Sequence, residues 1–156
     1  MARSASAGSK FFIGTTVGLD TAETDWAEVG LVTNLGEFGT SYAVISAETL
    51  GDQKVFKAKG INQLGSMTIS VLRDTSDVGQ ARARLAANNA TSIPYNCKIE
   101  LNDAPTGPSP TPTTFTFKAL LNSYTTNISG SGDFVSATVQ VEITDDITET
   151  AAAPGI

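Results

Sequence analysis

The feature that most constrains the fold is a strict alternation of apolar and polar side chains near the end of the chain. Between Val135 and Ile143 every second residue is apolar, and the residues between them are Ser136, Thr138, Gln140 and Glu142. Because successive side chains of a β-strand point to opposite faces, this pattern predicts a strand with one buried face and one polar face. The segment 66–73 repeats the pattern, and its polar face carries Ser66, Thr68 and Ser70.

The rest of the chain predicts a mainly β protein with a single helix. The predicted strands cover residues 10–17, 27–33, 53–58, 66–73, 93–101, 113–125 and 133–144. A helix is predicted over residues 77–89, where good helix formers follow capping residues, and Val78, Ala81 and Leu85 are expected to dock on the sheet. About seven strands with one helix indicate a β-sandwich or open barrel with the helix laid against it.

A length of 156 residues leaves room for one domain. We place this domain at residues 10–145, between a flexible N-terminal arm of residues 1–9 and a C-terminal tail of residues 146–156. No segment approaches the roughly 20 apolar residues of a membrane span, and the N-terminus lacks the apolar run of a signal peptide. We therefore predict no membrane association and folding in a reducing cytoplasm.

The charge balance argues against ordinary nucleic-acid binding. The net charge is −6, and charged residues make up 17% of the chain, against about 25% in typical soluble domains. The basic residues are scattered except for Lys54, Lys57 and Lys59. Because phosphate neutralisation by Lys and Arg supplies most of the affinity for nucleic acid, this chain could meet DNA only as a weakly repulsive wall.

No set of residues predicts catalysis, a metal site or a cofactor site. The chain has no His, which removes the usual general base, the commonest metal ligand and any Ser-His-Asp triad. The single Cys97 lies in an alternating apolar run, so we predict a buried strand residue rather than a reactive thiol. The sequence therefore predicts a protein that is not an enzyme.

Three short motifs allow two interpretations each. The segment 130–132 is glycine-rich, which suits a hairpin turn better than a phosphate loop because a strand follows it. Asp145 and Asp146 form a solvated strand end or a cation site, and adjacent strand residues point to opposite faces, which favours the first. Arg82 and Arg84 are either solvated helix charges, which we favour, or an anion site.

The segment from Asn34 to Asp52 is interpreted as a long loop that is too apolar to remain in water. It either folds over its own core or packs on a neighbouring subunit, and we favour the second alternative. Its glycines suggest that it becomes ordered only on assembly. The predicted contact residues between subunits are Phe11, Phe12, Leu35, Phe38, Tyr42, Val44, Ile45 and Leu50.

The order of these features resembles the tail tube family, or major tail proteins, of bacteriophages with long non-contractile tails. The resemblance covers nearly the whole chain and lies in the order and patterning of elements. Its parts are an approach to the second strand at 26–32 (WAEVGLV), the long segment after it, the run at 68–85 (TISVLRDTSDVGQARARL) and the closing hairpin at 114–143 (TFTFKALLNSYTTNISGSGDFVSATVQVEI).

The resemblance implies a structural virion protein that forms hexameric rings, which stack into a hollow tube for the passage of phage DNA into the host. It also implies localisation in the virion tail after synthesis in the bacterial cytoplasm. The implied partners are further copies of the chain and tape-measure, tail-tip and tail-terminator proteins, with DNA as transient cargo. The alternatives are a ring protein of the type VI secretion kind and a surface- or carbohydrate-binding β-sandwich.

The polar strand faces provide the predicted lining of the lumen. A sheet face exposed to bulk solvent would carry more Lys and Glu, whereas these strands present small neutral groups with one carboxylate near an end. The predicted lumen-lining residues are Ser66, Thr68, Ser70, Ser136, Thr138, Gln140 and Glu142. The helix is expected to lie away from the lumen.

Overall fold

The structure is a computed structural model that describes residues 5–16, 25–51 and 53–155. These residues form ten strands and one helix. The elements are β1 (Lys10–Thr16), β2 (Ala27–Val29), β3 (Val32–Asn34), β4 (Ser41–Glu48), β5 (Val55–Gln63), β6 (Ser66–Leu72), α1 (Val78–Ala87), β7 (Tyr95–Glu100), β8 (Thr114–Asn127), β9 (Ser136–Ile143) and β10 (Thr148–Thr150). In this described part of the chain, no helix is long and apolar enough to cross a membrane.

The large sheet curls into an open barrel. Its strands follow the order β2-β1-β7-β8-β9-β6-β3, and β10 pairs with the start of β8. The two outermost strands, β2 and β3, are consecutive in the chain and are joined through Gly30 and Leu31. The ends of the sheet therefore meet at this junction, and the mainly β fold with one helix is confirmed.

The core lies on the inner face of the barrel. The alternation predicted for β6 and β9 is confirmed, since their apolar residues are buried while their polar residues face outward. The buried apolar residues of these two strands are Met67, Ile69, Val71, Ala137, Val139, Val141 and Ile143. Cys97 is also fully buried, which raises the pKa of its thiol and confirms the prediction of an inert strand residue.

The helix packs with a different face from the predicted one. Val78 and Leu85 are 68% and 72% exposed, whereas Gly79, Gln80 and Ala83 are buried together with Ala86. A Cβ atom at position 79 would lie 2.0 Å from the carbonyl oxygen of Glu28. The helix approaches β2 so closely that only its small residues fit there, and the larger apolar residues are left outside.

Gln80 connects the helix to both ends of the sheet. Its side chain is fully buried, and Nε2 donates hydrogen bonds to the carbonyl oxygens of Gly30 (2.8 Å) and Leu72 (2.9 Å). Its Oε1 accepts from the backbone N–H of Asp74 (2.8 Å) and from the hydroxyl of Tyr124 (3.3 Å). A buried amide that satisfies four partners fixes the junction between β2 and β3 against β6 and β8.

Asp77 caps the helix and holds the same junction. Its Oδ2 accepts from the backbone N–H of Gln80 (2.8 Å) and of Gly30 (3.1 Å). A Cβ atom at position 30 would lie 2.7 Å from Asp77 Oδ1, so glycine allows the close approach. The next residue, Leu31, has a φ of 56°, which turns the chain from β2 into β3. The sequence predicted one continuous strand here because neither contact is visible in the pattern.

Two other segments differ from the predictions. The segment 34–52 is not a loop throughout, because it contains β4, which forms a separate hairpin with β5. β5 continues through residues 60–63, which lie between two of the predicted strands. Beyond the predicted domain end at 145, residues 148–150 pair with β8 and Ala153 forms a bridge with Thr111. Of the predicted N-terminal arm, residues 1–4 lie outside the described residues. Residues 17–24, at the end of the first predicted strand and in the connection after it, also lie outside them.

Candidate assembly surfaces

One surface is the outer face of β6 and β9, where the structure brings together all the predicted lumen-lining residues. Ser66 lies opposite Glu142, Thr68 opposite Gln140, and Ser70 opposite Thr138, while Ser136 continues the same face. The Thr68 hydroxyl donates to Gln140 Oε1 over 3.1 Å. Ser123 and Thr125 of β8 extend this surface beside β9. We call it the neutral face, because Glu142 is the only charged residue of the predicted set. Its position at a lumen stays a prediction.

The outer face of the other half of the barrel has a different chemistry. Lys98 on β7 forms an ion pair with Glu100 (3.2 Å), and its ammonium also lies over the rings of Phe12 (4.5 Å) and Trp26 (4.9 Å). Lys118 on β8 pairs with Asp145 (3.6 Å). This half thus carries two ion pairs, while the neutral face carries mainly hydroxyl and amide groups.

Four of the predicted contact residues pack within their own subunit. Phe11 is 1% exposed and lies between Val29 and Ile99 on the inner face of the sheet, so it belongs to the core rather than to a contact between subunits. Phe12 is half-buried next to Lys98. Leu35 and Phe38 pack against the core, and the Phe38 ring meets Phe115 edge-to-face at 5.1 Å. The first part of the long segment therefore follows the alternative in which it covers its own core.

The other four predicted contact residues are exposed. Tyr42, Val44 and Ile45 lie on β4, and Leu50 lies near the tip of the β4–β5 hairpin. Among the described residues, β4 and β5 pair with each other alone and make almost no contacts with the barrel strands or the helix. An isolated two-stranded hairpin is at best marginally stable in water, so this one is expected to need support from outside the subunit.

The hairpin has one apolar and one basic face. Ile45 lies opposite Ala58, and Ala47 lies opposite Phe56, which gives one face without any charge. The other face carries Tyr42, Val44, Lys57 and Lys59, with the Lys59 ammonium 5.1 Å from the centre of the Tyr42 ring. One carboxylate, Glu48, lies at the end of this face, so lysines outnumber acids there. Phe56 is 54% exposed and was not predicted as a contact residue. The alternation of Phe56 and Ala58 with two lysines is the signal that could have identified this face.

A second exposed apolar cluster lies at the opposite end of the barrel. It includes Ile128 and Phe134 in the connection between β8 and β9, and Leu31 at the junction of β2 and β3. The glycine-rich segment 130–132 forms a turn there, closed by a hydrogen bond from Asp133 N–H to the carbonyl oxygen of Gly130 (3.0 Å). This geometry agrees with the hairpin interpretation.

The helix arginines are both anchored, so the prediction of solvated charges is wrong. Arg82 donates to the carbonyl oxygen of Asp25 (2.7 Å) and pairs with its carboxylate (3.2 Å). Arg84 lies over the ring of Tyr124, and one of its terminal nitrogens is buried. The sequence could not distinguish these environments, because both arginines occur in the same Ala-Arg repeat.

Neither a metal site nor a catalytic arrangement is found in the described part of the chain. No group of three or more His, Cys, Asp or Glu residues converges there. A cleft of about 430 Å³ opens between β3 and the end of β7, and its walls include Leu35, Phe38, Ile99 and Leu101. The residues that line it carry no titratable side chain. The surfaces described above are suited to contacts with other proteins.

Several solved structures share this fold at low sequence identity. A protein of the anti-feeding prophage baseplate matches with a TM-score of 0.65 and 13% identity, over 97% of this chain and 98% of that chain. A protein of the sheath/tube terminator of the extracellular contractile injection system PVC matches with a TM-score of 0.68 and 15% identity, over 97% and 99%. The chain shares the fold of phage-tail-like proteins. A chain of the PVC sheath-tube complex matches with a TM-score of 0.66 and 15% identity, over 92% and 88%.

The comparisons confirm the predicted fold and leave the narrower assignment open. No protein-family model matches the sequence, and neither does any curated protein. The solved structures named above belong to a prophage particle and a contractile injection system. The narrower resemblance to tubes of long non-contractile tails therefore stays a prediction.

Proposed function

We propose that this chain is the structural subunit of a tail-type tube, in which hexameric rings stack around a hollow lumen. The observation that carries this proposal is the neutral face of β6 and β9, on a fold shared with proteins of tail-like particles. The role is not enzymatic. Tape-measure, tail-tip and terminator proteins are the partners that the resemblance to tail tube proteins implies.

The neutral face forms the wall of the lumen in this proposal. Its hydroxyl and amide groups would hold water but offer no array of cations to a polyanion. Glu142 lies at the end of β9 and adds a weakly repulsive carboxylate. Such a wall lets double-stranded DNA pass as transient cargo without binding it specifically. The charged half of the barrel, with Lys98 and Lys118, then faces away from the lumen.

The hairpin provides contacts between subunits. Its apolar face of Ile45, Ala47, Phe56 and Ala58 would leave water when it packs on another copy. Continuous pairing of sheets around a ring also protects strand edges that a free subunit exposes. This arrangement accounts for a hairpin that makes so few contacts with its own barrel.

Electron microscopy of the purified protein tests the proposal directly. We expect rings with six subunits, or stacks of such rings, under at least one assembly condition. A protein that stays monomeric under all conditions contradicts the proposal. Rings that never stack would instead support the alternative of a type VI-like ring protein.

Labelling of engineered cysteines tests the orientation. Cys97 is buried, so a cysteine introduced at an exposed position provides the reactive thiol. We expect Thr68→Cys to react with a bulky polymer-tagged maleimide in the free subunit but not in assembled tubes. Leu85→Cys on the outer side of the helix is the matched control and should react in both states. Equal labelling of Thr68→Cys before and after assembly would exclude a lumenal neutral face.

A further inference from the structure

The exposed large apolar and aromatic side chains of the described residues gather in two places. Half of them lie on the β4–β5 hairpin or at its tip. A second group lies at one end of the barrel, and we call it the end cluster. Its members are Leu31, Val78, Ile128, Phe134 and Val135. Leu85 and Ile93 belong to neither group, so the end cluster is the one grouped apolar surface outside the hairpin in the described part of the chain.

Backbone contacts bring the members of the end cluster together. The N–H of the last residue of β6 donates to the carbonyl oxygen of Leu31, and the N–H of the next residue donates to that of Val135, both over 2.9 Å. Ile128 and Phe134 lie in the connection between β8 and β9. Val78 begins the helix, whose cap residue accepts a hydrogen bond from the residue before Leu31. The five side chains therefore surround the same end of β6.

The hairpin is attached at the other end of β6. Leu64 and Gly65 follow the hairpin, and β6 then begins at Ser66. The carbonyl oxygen of Gly65 accepts a hydrogen bond from the N–H of Ile143 at the end of β9 (3.2 Å). β6 has seven residues, which corresponds to about 23 Å at the usual rise of a strand. Because the end cluster is exposed, the hairpin of the same subunit does not cover it, and a contact between the two surfaces needs a second copy.

Asp133 places a carboxylate beside the end cluster. It is exposed, directly precedes Phe134 and takes part in none of the ion pairs found among the described residues. Asp74 at the same end accepts two hydrogen bonds from the turn before the helix, and Arg73 lies over the ring of Tyr124. A surface that packs on the end cluster must supply a cation for Asp133, because a carboxylate buried without one is costly.

Of the two hairpin faces, the basic face meets this requirement, since the apolar face carries no charge. The basic face combines two lysines with the exposed side chains of Tyr42, Val44 and Val55. The Lys59 ammonium lies over the Tyr42 ring, whereas Lys57 takes part in no ion pair or ring contact found among the described residues. This face therefore complements both the apolar surface of the end cluster and its carboxylate, with Lys57 as the available cation.

We propose that the basic face of the hairpin of one copy docks on the end cluster of a second copy, where Lys57 pairs with Asp133. Apolar surface of Tyr42 and Val44 then leaves water against Phe134 and its neighbours, and the charge pair fixes the orientation. The contact joins opposite ends of identical subunits, so it is heterologous and continues into a ring or a stack instead of closing as a dimer. This inference rests on the proposed tube function and identifies one of its contacts.

Charge reversal tests the pair in the full-length protein. We expect Lys57→Glu and Asp133→Lys each to raise the protein concentration needed for assembly at least about tenfold, because each places like charges in contact. The double variant Lys57→Glu/Asp133→Lys restores the pair with reversed charges and should assemble close to the wild type. Lys54→Glu and Glu149→Lys make the same charge changes elsewhere and should alter assembly little. Normal assembly of either single variant, or no rescue in the double variant, overturns the proposal.

Cross-linking tests which surfaces meet. Cys97 is buried, so Val44→Cys/Phe134→Cys provides one reactive thiol on the hairpin and one at the end cluster. In assembled material, a short bifunctional maleimide should link this variant into trimers and larger products. Val44→Cys/Leu85→Cys is the matched control and should give far fewer of them. Products that stop at the dimer would show a contact between like surfaces, and that result, or an absence of cross-links, overturns the proposal.

Two variants blocked at opposite ends test the contact even if no tube forms. In a mixture, the intact basic face of the Phe134→Asp variant can bind the intact end cluster of the Val44→Asp variant. We expect the Val44 methyl NMR signals of an isotopically labelled Phe134→Asp variant to shift when the Val44→Asp variant is added. Addition of more unlabelled Phe134→Asp variant is the control and should leave these signals unchanged.

Melting of the two soluble variants separates a contact from a structural role. Val44 and Phe134 are 70% and 79% exposed, so both variants should melt close to the wild-type temperature. Melting several degrees lower would show that the side chain packs within its own subunit, and would overturn the contact. Failure of the wild type to form rings or tubes contradicts the proposed function, whereas an absence of the NMR shifts in the mixture contradicts this contact.

Discussion

The barrel and the β4–β5 hairpin are built from similar amphipathic strands but differ in what covers their apolar faces. In the barrel, Ile69 and Val139 lie opposite each other and are buried in the core. In the hairpin, Ile45 and Phe56 are 58% and 54% exposed. The same side-chain chemistry stabilises the subunit in one place and remains available for a partner in the other. Burial, and not hydrophobicity alone, separates the residues that stabilise the subunit from those for which we propose contacts between subunits.

The largest difference in stability is expected between two isoleucine-to-alanine variants, one at a buried position and one at an exposed position. Ile69→Ala should lower the free energy of unfolding by about 2–5 kcal/mol, because it leaves a cavity in the core. Ile45→Ala should change it by less than about 0.5 kcal/mol, as at most exposed positions. Denaturant unfolding of the soluble subunit measures both values. A large loss for Ile45→Ala would show that the hairpin belongs to the subunit's own cooperative fold.

Phe38 and Tyr42 sharpen the comparison because they are close in sequence but differ in environment. Phe38 packs against the barrel core, whereas Tyr42 is exposed on the hairpin. Phe38→Ala removes a ring that packs on Phe115, so it should lower the stability of the subunit by about 2–4 kcal/mol, a little less than a fully buried ring. Tyr42→Ala should leave thermal melting nearly unchanged and weaken tube formation, where an aromatic contact can contribute about 2 kcal/mol or more.

Melting curves and electron microscopy of assembly reactions check both variants. If Tyr42→Ala assembled normally while Phe38→Ala alone failed to form tubes, the hairpin would have no role in assembly.

Gln80 tests how the ends of the barrel are joined. Gln80→Leu should lower the free energy of unfolding by about 1–3 kcal/mol, because buried groups of Gly30, Leu72 and Asp74 lose their partner. Gln63→Leu on the exposed hairpin is the control and should have little effect. Hydrogen exchange would also show faster exchange in β2 and β3. Equal stability of the two variants would mean that the junction holds without the glutamine.

The smallest expected effect concerns acid stability and Asp103. Hydrogen bonds from the Thr113 hydroxyl and backbone N–H lower the pKa of its carboxyl. A lowered pKa adds stability above the ordinary pKa of Asp, and this stability is lost as the pH falls through the folded-state pKa. Asp103→Asn should therefore be less stable than the wild type at neutral pH, and the difference should shrink below the ordinary pKa. A difference independent of pH would exclude this carboxylate as the cause.

The sequence predicted the parts of the fold that depend on local periodicity. The alternation at 66–72 and 136–143 correctly predicted both strands and their polar faces, because one side of each strand is buried and the other is not. The helix was predicted within two residues of its observed ends. Its buried face was not, since Gly79 and Ala83 give no hydrophobic signal and act through the close approach that they permit.

The candidate site was predicted only in part, for a related reason. The outward position of the residues of β6 and β9 was predicted, because they alternate with core residues on two paired strands. Their extension by Ser123 and Thr125 of β8 was not predicted. Phe56 was missed on the exposed face that it shares with Ile45. The alternation of Phe56 and Ala58 with two lysines predicts a strand with one apolar face, but not whether a core covers that face. The convergence of Arg73 and Arg84 on Tyr124 joins three elements far apart in the chain, and no local pattern records it.

By itself, the sequence determined the mainly β character of the chain, the two-faced character of β6 and β9, the lack of histidine and the low fraction of charged residues. Each of these follows from residue type or from a short-range period along the chain. Only the tertiary structure decided that the chain divides at Gly30 into two strands at opposite ends of the sheet, that Phe11 is a core residue, and that the β4–β5 hairpin stands apart from the barrel. These features depend on which distant segments meet, and that is settled by the packing of the whole chain, where Gln80 and Asp77 close the barrel.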